Sequence, residues 1–587
     1  MYKGLAVSPG VVVGVAYRVD PVFGSSEPQE LAGAAQVPEE IERFDKAVAA
    51  SAAELEAIVI RVGQQVGAAE AAIFQGHLGI IRDQGLLARV RDLIAKKQLT
   101  ALSALQTVLQ EYAARFAAIE NDMFRERLTD IRDVVSKIGS HLTLDPSIAP
   151  TPRATDGEPL VLVTHELLPS QAINLENLLI AGIVTEVGGG TSHAAILARS
   201  RGVPAVSGVL DITAHVETGD VIVVDGRDGL VVVRPDTETL VTYRKMQRDF
   251  LNIRTRLVRN REKAAVSADG AQVELLANIN NLADAETAMA VGASGVGLFR
   301  TEYLFLTHQD VPDEEEQYQH YKQVIEASPN QTVVIRTLDL GGDKTVPYLG
   351  RRHEANPFMG WRSIRLSFEH PMMFERQIRA ILRAGRHGRH VAMLFPMITT
   401  LEELRHVNKL VHDTRAKLRR ENVPFGENVK TGVMIEVPAA ALCIDAILRE
   451  TDFISIGSND LIQYLVAADR DNPKVAHLCE PLSPAIFRIL QLVFDACRRT
   501  GTPVTVCGEM AGQPRSVLAL FGMGLRRFSM SPAFVPTVKE LLASVTTAQA
   551  ERFAHQVLQL KTNEEIRGYL TSRLHEVSSD IEVFDFG

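Results

Sequence analysis

The second half of the chain repeats one pattern eight times, and this repetition constrains the fold more than any other feature of the sequence. Short apolar segments, each long enough for one strand, are separated by stretches long enough for a helix. The segments cover residues 273–279, 295–300, 333–339, 391–397, 432–438, 453–460, 504–510 and 526–532. Such a series predicts a closed parallel (β/α)8 TIM barrel. An open doubly wound sheet is the alternative, but no dinucleotide-binding fingerprint accompanies these strands, which favours closure.

The first half of the chain has a different pattern. Residues 37–146 carry apolar side chains three and four positions apart with almost no proline, which predicts a helical bundle. Strand-like segments lie before and after it, so the bundle is predicted to be inserted into an α/β domain. The expected multidomain α/β organisation is an α/β domain of residues 1–36 and 147–235, an inserted helical subdomain of residues 37–146, a linker helix of residues 236–265, and a barrel of residues 266–587.

Composition excludes several classes of function. The net charge of -10 argues against a protein that binds the nucleic-acid backbone in bulk. No stretch of about 18 unbroken apolar residues predicts a membrane span, so we expect no membrane insertion. The four cysteines form no CxxC pair or disulfide framework, which indicates a reducing, cytoplasmic setting.

The residues at the ends of the predicted barrel strands are polar, and in this architecture the active site is built there. The strand ends supply Asn278, Arg300 with Glu302, Arg336 with Asp339, Met397, Glu436, Asn459 with Asp460, Cys507 with Glu509, and Ser529 with Ser531. Arginines can hold phosphate and carboxylate groups bidentately, and Glu436 with Asp460 offers oxygen ligands suited to Mg2+. Lys344 and Arg470 lie just beyond the strands. The pattern indicates a small polyanion bound through a metal.

Each of these residues also has an ordinary structural explanation. An arginine at a strand end is often part of an ion pair, and Cys507 in an apolar strand fits a core cysteine, as Cys443 and Cys497 fit helix packing. Glu436 is harder to explain structurally, because a carboxylate that ends an apolar strand is costly to bury unless it is paired or metal-bound. The joint occurrence of arginines, carboxylates and a cysteine is therefore the signal.

A second candidate site lies in residues 187–206, where a strand leads through three glycines into a helix. His193 is expected in the first turn of that helix. Free backbone amides and the helix dipole stabilise an anion there, so a phosphoryl group carried on His193 would suit the site. From the spacing alone, a glycine turn before a capped helix with an incidental histidine is the favoured explanation, because glycine-rich turns before helices are common.

Several motifs together resemble a known family. GGGTSHAAILARSRGVPAV is similar to the phosphohistidine motif of the phosphoenolpyruvate-utilising enzymes. GVGLFRTEYLF, VVIRTLDLGGDK, NPFMGWRSIR, GVMIEVPAA, SIGSNDLIQYLVAADR and CGEMAG resemble the barrel motifs of the Enzyme I family of the phosphotransferase system, and the resemblance runs nearly end to end. IFQGHLGIIRD and RERLTDIRDV, in the helical region around His77, resemble the helices on which Enzyme I docks the carrier protein HPr.

The resemblance implies an activity and a set of site residues. The chain would transfer the phosphoryl group of phosphoenolpyruvate to its own His193 and then to a histidine of HPr or an HPr-like protein, the first step of sugar phosphotransfer. Cys507 would protonate the enolate of pyruvate. The resemblance further implies a swivelling phosphohistidine domain and a homodimer formed through the barrel domain. The substrate would be bound by Arg300, Arg336, Asn459, Asp460 and Arg470, and Mg2+ by Glu436 and Asp460, while Lys344, Asn356 and Arg362 fall in matching motifs.

Three alternatives stay open at this point. Gly190 stands where members serving sugar transport often have a basic residue, and Ala194, Ala195 and Ser483 also depart from the common pattern, so the nitrogen-regulatory branch is one alternative. That branch usually carries a GAF domain ahead of the core, whereas this sequence begins at the core, which favours the sugar system. A pyruvate dikinase or phosphoenolpyruvate synthase is the second alternative, and a regulatory binding protein with weak turnover is the third.

Overall fold

The structure, a computed structural model, divides the chain into two units, Met1–Phe250 and Leu251–Gly587. The residues that it describes are 1–8, 10–19, 28–65, 68–117, 122–143, 159–167, 180–188, 198, 203–306, 308, 310–341, 346, 348, 354, 356–470, 472, 474–578 and 581.

One mixed sheet organises the first unit. Its strands are β1 (Tyr2–Lys3), β2 (Leu5–Ser8), β3 (Val11–Val19), β4 (Leu160–Thr164), β5 (Ile180–Thr185), β6 (Ala205–Ser207), β7 (Val221–Asp225) and β8 (Leu230–Val233). They are hydrogen-bonded in the order β1-β8-β7-β3-β4-β5-β6-β2, and β3, β4, β5 and β6 are parallel. Valines on these strands supply much of the core beneath the sheet. β-branched residues suit such a surface because their stiff side chains pack well on a pleated sheet.

A helical bundle is inserted in the sequence between two strands of this sheet, and the two strands still pair with each other. The helices are α1 (Val37–Gln65), α2 (Ala68–Ile81), α3 (Gln84–Lys97), α4 (Ala101–Ala117) and α5 (Asp122–Thr143). They separate β3 from β4, yet these two strands pair directly in parallel. The bundle has its own apolar core, which includes Phe44, Leu55 and Val90. The predicted insertion of a helical bundle into an α/β domain is confirmed.

Among the described residues, two further helices follow in the first part of the chain: α6 (Ile212–His215) and α7 (Thr237–Arg259). The boundary between the two units falls within α7.

The second unit is a closed barrel of eight parallel strands. The strands are β9 (Glu274–Ile279), β10 (Gly295–Arg300), β11 (Thr332–Arg336), β12 (His390–Phe395), β13 (Lys430–Ile435), β14 (Phe453–Ile456), β15 (Val504–Val506) and β16 (Arg527–Met530). Each strand pairs with the next in the sequence, and β16 pairs with β9 to close the barrel. The predicted (β/α)8 barrel is confirmed, and the open sheet is wrong.

Helices surround the barrel. They are α8 (Leu282–Ala290), α9 (Glu302–Leu306), α10 (Glu314–Glu326), α11 (Ile364–Glu369), α12 (Pro371–Ala384), α13 (Leu401–Arg420), α14 (Pro438–Leu442), α15 (Ile444–Ile447), α16 (Ser458–Val466), α17 (Pro484–Thr500), α18 (Pro514–Gly522), α19 (Val535–Ala543), α20 (Thr547–Gln559) and α21 (Asn563–Ser578). Short 3-10 helices lie at Ala34–Gln36, Pro357–Met359, Gly385–His387, Ala476–Leu478, Glu509–Gly512 and Pro532–Phe534. Within the ranges given above, no helix is long and apolar enough to cross a membrane.

Candidate active site at the barrel mouth

The alternation of side chains along the strands determines which residues reach the barrel mouth. The barrel interior is filled from β10, β11 and β13 by Leu298, Val334 and Met434. Successive side chains of a strand point to opposite faces, so the residue two positions later also faces inward, now at the carboxyl end. These later residues are Arg300, Arg336 and Glu436. Cys507, directly after β15, belongs to the interior cluster itself.

Arg336 is the centre of a buried ion-pair network. Its guanidinium donates to Glu302 Oε1 at 2.5 Å and lies 3.0 Å from Asp339 Oδ2. The other oxygen of Asp339 accepts from Arg362 at 3.1 Å. All four side chains are buried. Buried charges at such distances are tolerated only when each has a partner, so removing one member leaves the others uncompensated.

The same network continues toward the predicted metal carboxylates. Arg362 Nη1 lies 3.5 Å from Asp460 Oδ1 and donates to the hydroxyl of Tyr464 at 3.2 Å. On the far side of Asp460, Arg470 Nη1 lies 3.6 Å from the same carboxylate oxygen. Asp460 therefore lies between two guanidinium groups, one of which, Arg470, is only partly buried.

Glu436 is a buried carboxylate with no cation at ion-pair distance among the described residues. Its Oε1 accepts a hydrogen bond of 2.6 Å from the backbone amide of Met397, which has a φ of 57°. Burial, together with the negative charges of Asp460 and Asp339, raises the pKa of Glu436 to about 8, against the attraction of nearby arginines. A divalent cation would relieve this repulsion.

The donor set at this point fits Mg2+. In the parts of the chain that the structure describes, no three acidic, histidine or cysteine side chains form a complete metal site. Mg2+ does not need such a site, because it is usually held by one or two protein carboxylates and takes its other ligands from substrate phosphate and water. Glu436 and Asp460 supply two carboxylates of this kind.

Gly457 packs against Glu436 and offers a test of this position. A Cβ atom on Gly457 would lie 2.7 Å from Glu436 Oε2 and 3.1 Å from Glu436 Cβ, so Gly457→Ala must displace the carboxylate. We expect the Mg2+ concentration for half-maximal activity to rise about tenfold, as for other changes around a metal ligand. Gly568→Ala, on the exposed side of α21 with nothing within 4 Å, is the matched control. An unchanged Mg2+ requirement in Gly457→Ala would contradict a metal role for Glu436.

Cys507 is a buried thiol with a defined position. Its Sγ lies 3.4 Å from the carbonyl of Ile456, and its own carbonyl accepts from Asn278 Nδ2 at 2.8 Å. Ser529 in turn donates to Asn278 at 2.6 Å. Burial is the main cause that raises the pKa of Cys507 to about 11, against the opposing effects of Ser455 and the nearby Arg336. The thiol is therefore protonated at neutral pH and can donate a proton.

Two other predicted residues are more accessible at the same mouth. Arg300 has no hydrogen-bond or ion-pair partner among the described residues, so its guanidinium is available to an anion. Asn459 exchanges two hydrogen bonds with Glu509, of 3.0 and 3.4 Å. The barrel mouth thus carries Arg300, Arg336, Glu436, Asn459, Asp460, Arg470 and Cys507, whereas Asn356 stands directly before the 3-10 helix Pro357–Met359. His193 and Lys344 lie outside the described residues.

Sequence reasoning missed Gln377, which supports Arg336 from behind. Gln377 is buried on α12, accepts from the amide of Leu338 at 2.9 Å, and donates to Thr301 and Tyr321 at 3.1 and 3.2 Å. Thr301 itself donates to the carbonyl of Arg336 at 2.8 Å. One signal was available, because Gln377 is a polar residue within the apolar stripe of an amphipathic helix.

A second missed feature lies in the first unit, at the carboxyl ends of β4 and β5. His165 follows β4 and pairs through Nδ1 with Glu186 at 2.5 Å, directly after β5. The other oxygen of Glu186 accepts from the amide and the hydroxyl of Thr213 at 2.7 and 2.5 Å. Burial raises the pKa of Glu186, but these hydrogen bonds outweigh that effect and lower the pKa below its usual value. The pair stands where the segment that carries His193 leaves the sheet, at Gly188.

Three family descriptions match the chain in succession. "PEP-utilising enzyme, N-terminal" matches residues 3–127, "PEP-utilising enzyme, mobile domain" matches residues 156–229, and "PEP-utilising enzyme, PEP-binding domain" matches residues 254–547. The last of these covers the barrel and half of the chain. The chain belongs to the PEP-utilising enzyme family.

Relatives within this family match over almost the whole length. The chain is 39% identical to the phosphoenolpyruvate-protein phosphotransferases of Bacillus sp. (strain S) and of Geobacillus stearothermophilus, over 97% of this chain and 97% of each relative. It is 36% identical to the phosphoenolpyruvate-protein phosphotransferase of Bacillus subtilis (strain 168), over 97% of this chain and 98% of that protein. The family resemblance predicted from the motifs is confirmed, and the chain is an enzyme.

Proposed function

We propose that the chain transfers the phosphoryl group of phosphoenolpyruvate to its own His193 and then to a histidine of HPr or an HPr-like protein. One observation carries this conclusion. The barrel mouth combines arginines, two buried carboxylates and a protonated thiol in a chain whose full-length relatives are named phosphoenolpyruvate-protein phosphotransferases. The arginines would bind an anion, the carboxylates would hold a metal ion, and the thiol would donate a proton.

The substrate would be held by Arg300, Arg336, Asn459, Asp460 and Arg470. Phosphoenolpyruvate has a carboxylate and a phosphate, and guanidinium groups bind both in a bidentate manner. Arg300, which has no hydrogen-bond or ion-pair partner in the described ranges, and the partly exposed Arg470 support this assignment. Arg362 and Gln377 would keep Arg336 in place through Asp339 and Leu338.

Glu436 and Asp460 would hold Mg2+. The metal, when bound, would neutralise phosphate charge that builds up during transfer. Without it, burial and the repulsion from Asp460 both raise the pKa of Glu436.

The chemical step would break the bond between phosphorus and the enol oxygen and form a bond between phosphorus and Nε2 of His193. The remaining enolate would take a proton at its methylene carbon from Cys507 Sγ and leave as pyruvate. In the second step the phosphoryl group would pass from His193 to the carrier histidine, which regenerates neutral His193.

The organisation of the chain would serve this two-step transfer. We assign His193 to the α/β domain of residues 1–36 and 147–235, which would swing between the barrel and the carrier. Residues 37–146 would dock the carrier, residues 236–265 would link the domains, and residues 266–587 would bind phosphoenolpyruvate. Homodimerisation would use the barrel unit, as the family resemblance implies. The four free cysteines support a cytoplasmic location.

The test follows radiolabel from donor to acceptor. Purified chain with Mg2+ and phosphoenolpyruvate labelled in the phosphoryl group should pass label to purified HPr, and labelled ATP should pass none. Label on the chain but not on HPr, with transfer to a nitrogen-branch carrier instead, would select the regulatory branch. Labelling by ATP would select the dikinase, and no label from either donor would contradict the proposed function.

The docking role of the helical bundle is tested at Gly79 on α2. His77 is buried against Asp130 and Asp133, whereas its neighbours Gln75, Gly76 and Gly79 are exposed and within reach of a partner. A Cβ atom on Gly79 would meet nothing within 4 Å, and a helix tolerates the change from glycine. Gly79→Trp should therefore slow transfer to HPr about tenfold or more, as steric exclusion from an interface does, with unchanged labelling of the chain by phosphoenolpyruvate. Gly568→Trp is the control, and normal transfer by Gly79→Trp would contradict docking at α2.

A further inference from the structure

A cavity of about 290 Å³ lies at the end of the barrel opposite to the candidate active site. Its lining includes Thr431, near the start of β13, and Asp452, which directly precedes β14. Glu436 follows the other end of β13. Five residues of strand, or roughly 17 Å, separate Thr431 from Glu436. The cavity is therefore a separate place on the molecule and not part of the barrel mouth.

The wall of this cavity is one face of α13. Asn408, Val411, His412 and Arg415 line it, and their spacing of three and four residues places them on the same side of the helix. The opposite wall is the loop before β14, which contributes Arg449 and Glu450.

The carboxylates of the cavity are already satisfied. Glu450 accepts three hydrogen bonds from Arg405, at 2.7 to 3.1 Å. Asp452 accepts from the amide and the hydroxyl of Thr431, at 2.7 and 3.3 Å. Neither carboxylate needs a cation from a ligand.

The guanidinium groups are not satisfied in the same way. Arg449 is exposed and has no hydrogen-bond or ion-pair partner in the described ranges. In the same ranges, Arg415 donates only to the carbonyl of Val429, at 2.5 Å, and its buried Nε has no partner. Burial lowers the pKa of Arg415. The negative charges of Asp452 and Glu427 offset this effect only in part, and the positive charge of Arg419 lowers the pKa as well.

We propose that this cavity binds a small organic anion through Arg415 and Arg449. The ligand class is a metabolite with a phosphate or carboxylate group, because guanidinium forks recognise both and the volume suits a small molecule. His412 lines the same wall, as does Asn408, whose amide donates to the carbonyl of Glu450 at 2.9 Å. The inference does not depend on phosphoryl transfer at His193.

Arginine footprinting tests the site directly. The full chain is treated briefly with phenylglyoxal, with and without pyrophosphate or citrate at matched ionic strength, and each arginine is followed by peptide mass spectrometry. With the anion at about ten times its dissociation constant, modification of Arg449 should slow about tenfold, since a bound ligand excludes the reagent. Arg420, exposed on the same helix, should react at an unchanged rate. Protection by pyrophosphate alone would indicate a phosphate ligand, and protection by citrate alone a carboxylate ligand.

A variant separates binding from general screening of charge. In Arg449→Gln, protection of Arg415 by the same anion should weaken about tenfold or more, because a charge-assisted contact is lost. Arg420→Gln should leave that protection unchanged. Equal reactivity of Arg449 with and without both anions, or equal protection of Arg420, would overturn the proposal.

Discussion

Replacing Cys507 with alanine is expected to slow the formation of pyruvate from phosphoenolpyruvate about 100-fold or more, the usual contribution of a general acid. The thiol is buried at the barrel mouth, and burial raises its pKa to about 11, so it carries a proton at the pH of the assay. Without it, the enolate must wait for a proton from water. The rate of pyruvate formation in the presence of Mg2+ and HPr is the measurement.

Two further variants separate acidity from packing. Cys507→Ser keeps nearly the same shape but offers a hydroxyl that ionises far less readily, so it should be almost as slow as the alanine variant. Cys497→Ala removes another buried thiol, on α17 in the helix layer, whose pKa burial raises to about 12. Its activity should be unchanged, with a loss of about 1 kcal/mol in stability. Full activity in both Cys507 variants would contradict its role as the acid.

Arg336→Gln should affect both activity and stability, because Arg336 is the cation of a buried network. Glu302 would lose its 2.5 Å ion pair with Arg336, and Asp339 would lose one of its two buried guanidinium contacts and keep the one with Arg362. Leaving a buried charge unpaired costs about 3–5 kcal/mol. The kcat/KM for phosphoenolpyruvate should fall at least about 100-fold, as when a preorganised donor is lost. Fluorescence of Trp361, the one tryptophan of the chain, reports unfolding of the barrel in urea.

The double variant Arg336→Gln with Glu302→Gln separates these two effects. It removes the uncompensated carboxylate, so much of the stability should return while activity stays low. Arg527→Gln is the control, because Arg527 pairs at 3.0 Å with the half-exposed Glu274 at the opposite end of the barrel. Its stability should change by less than about 1 kcal/mol. Recovery of activity together with stability in the double variant would show that Arg336 has only a structural role.

The positions of the main site residues could be predicted from the sequence because they depend on local periodicity. Apolar residues that alternate along each strand fix which side chains face inward, and closure of the barrel then brings Arg300, Arg336, Glu436 and Cys507 to one end. The network that holds them could not be predicted in this way. Gln377 meets Thr301 across 76 residues of sequence, and only the folded chain determines that contact.

Backbone conformation at the site was also beyond sequence reasoning. Met397 and Ser363 both have a φ of 57°, and each adjoins the site, Met397 through its amide to Glu436 and Ser363 as the neighbour of Arg362. Residues other than glycine rarely adopt this conformation, so no local preference signals it. Such strained positions persist where the surrounding structure holds them and are common at functional sites.

The most direct test of the account is whether phosphoenolpyruvate phosphorylates His193. Purified chain incubated with phosphoenolpyruvate and Mg2+ is measured by intact mass, before and after brief acid treatment, beside His193→Ala and the control His215→Ala. The account predicts one acid-labile phosphoryl group in the wild type and in His215→Ala, and none in His193→Ala. An adduct that persists in His193→Ala, or a folded wild-type protein that gains none, would contradict it.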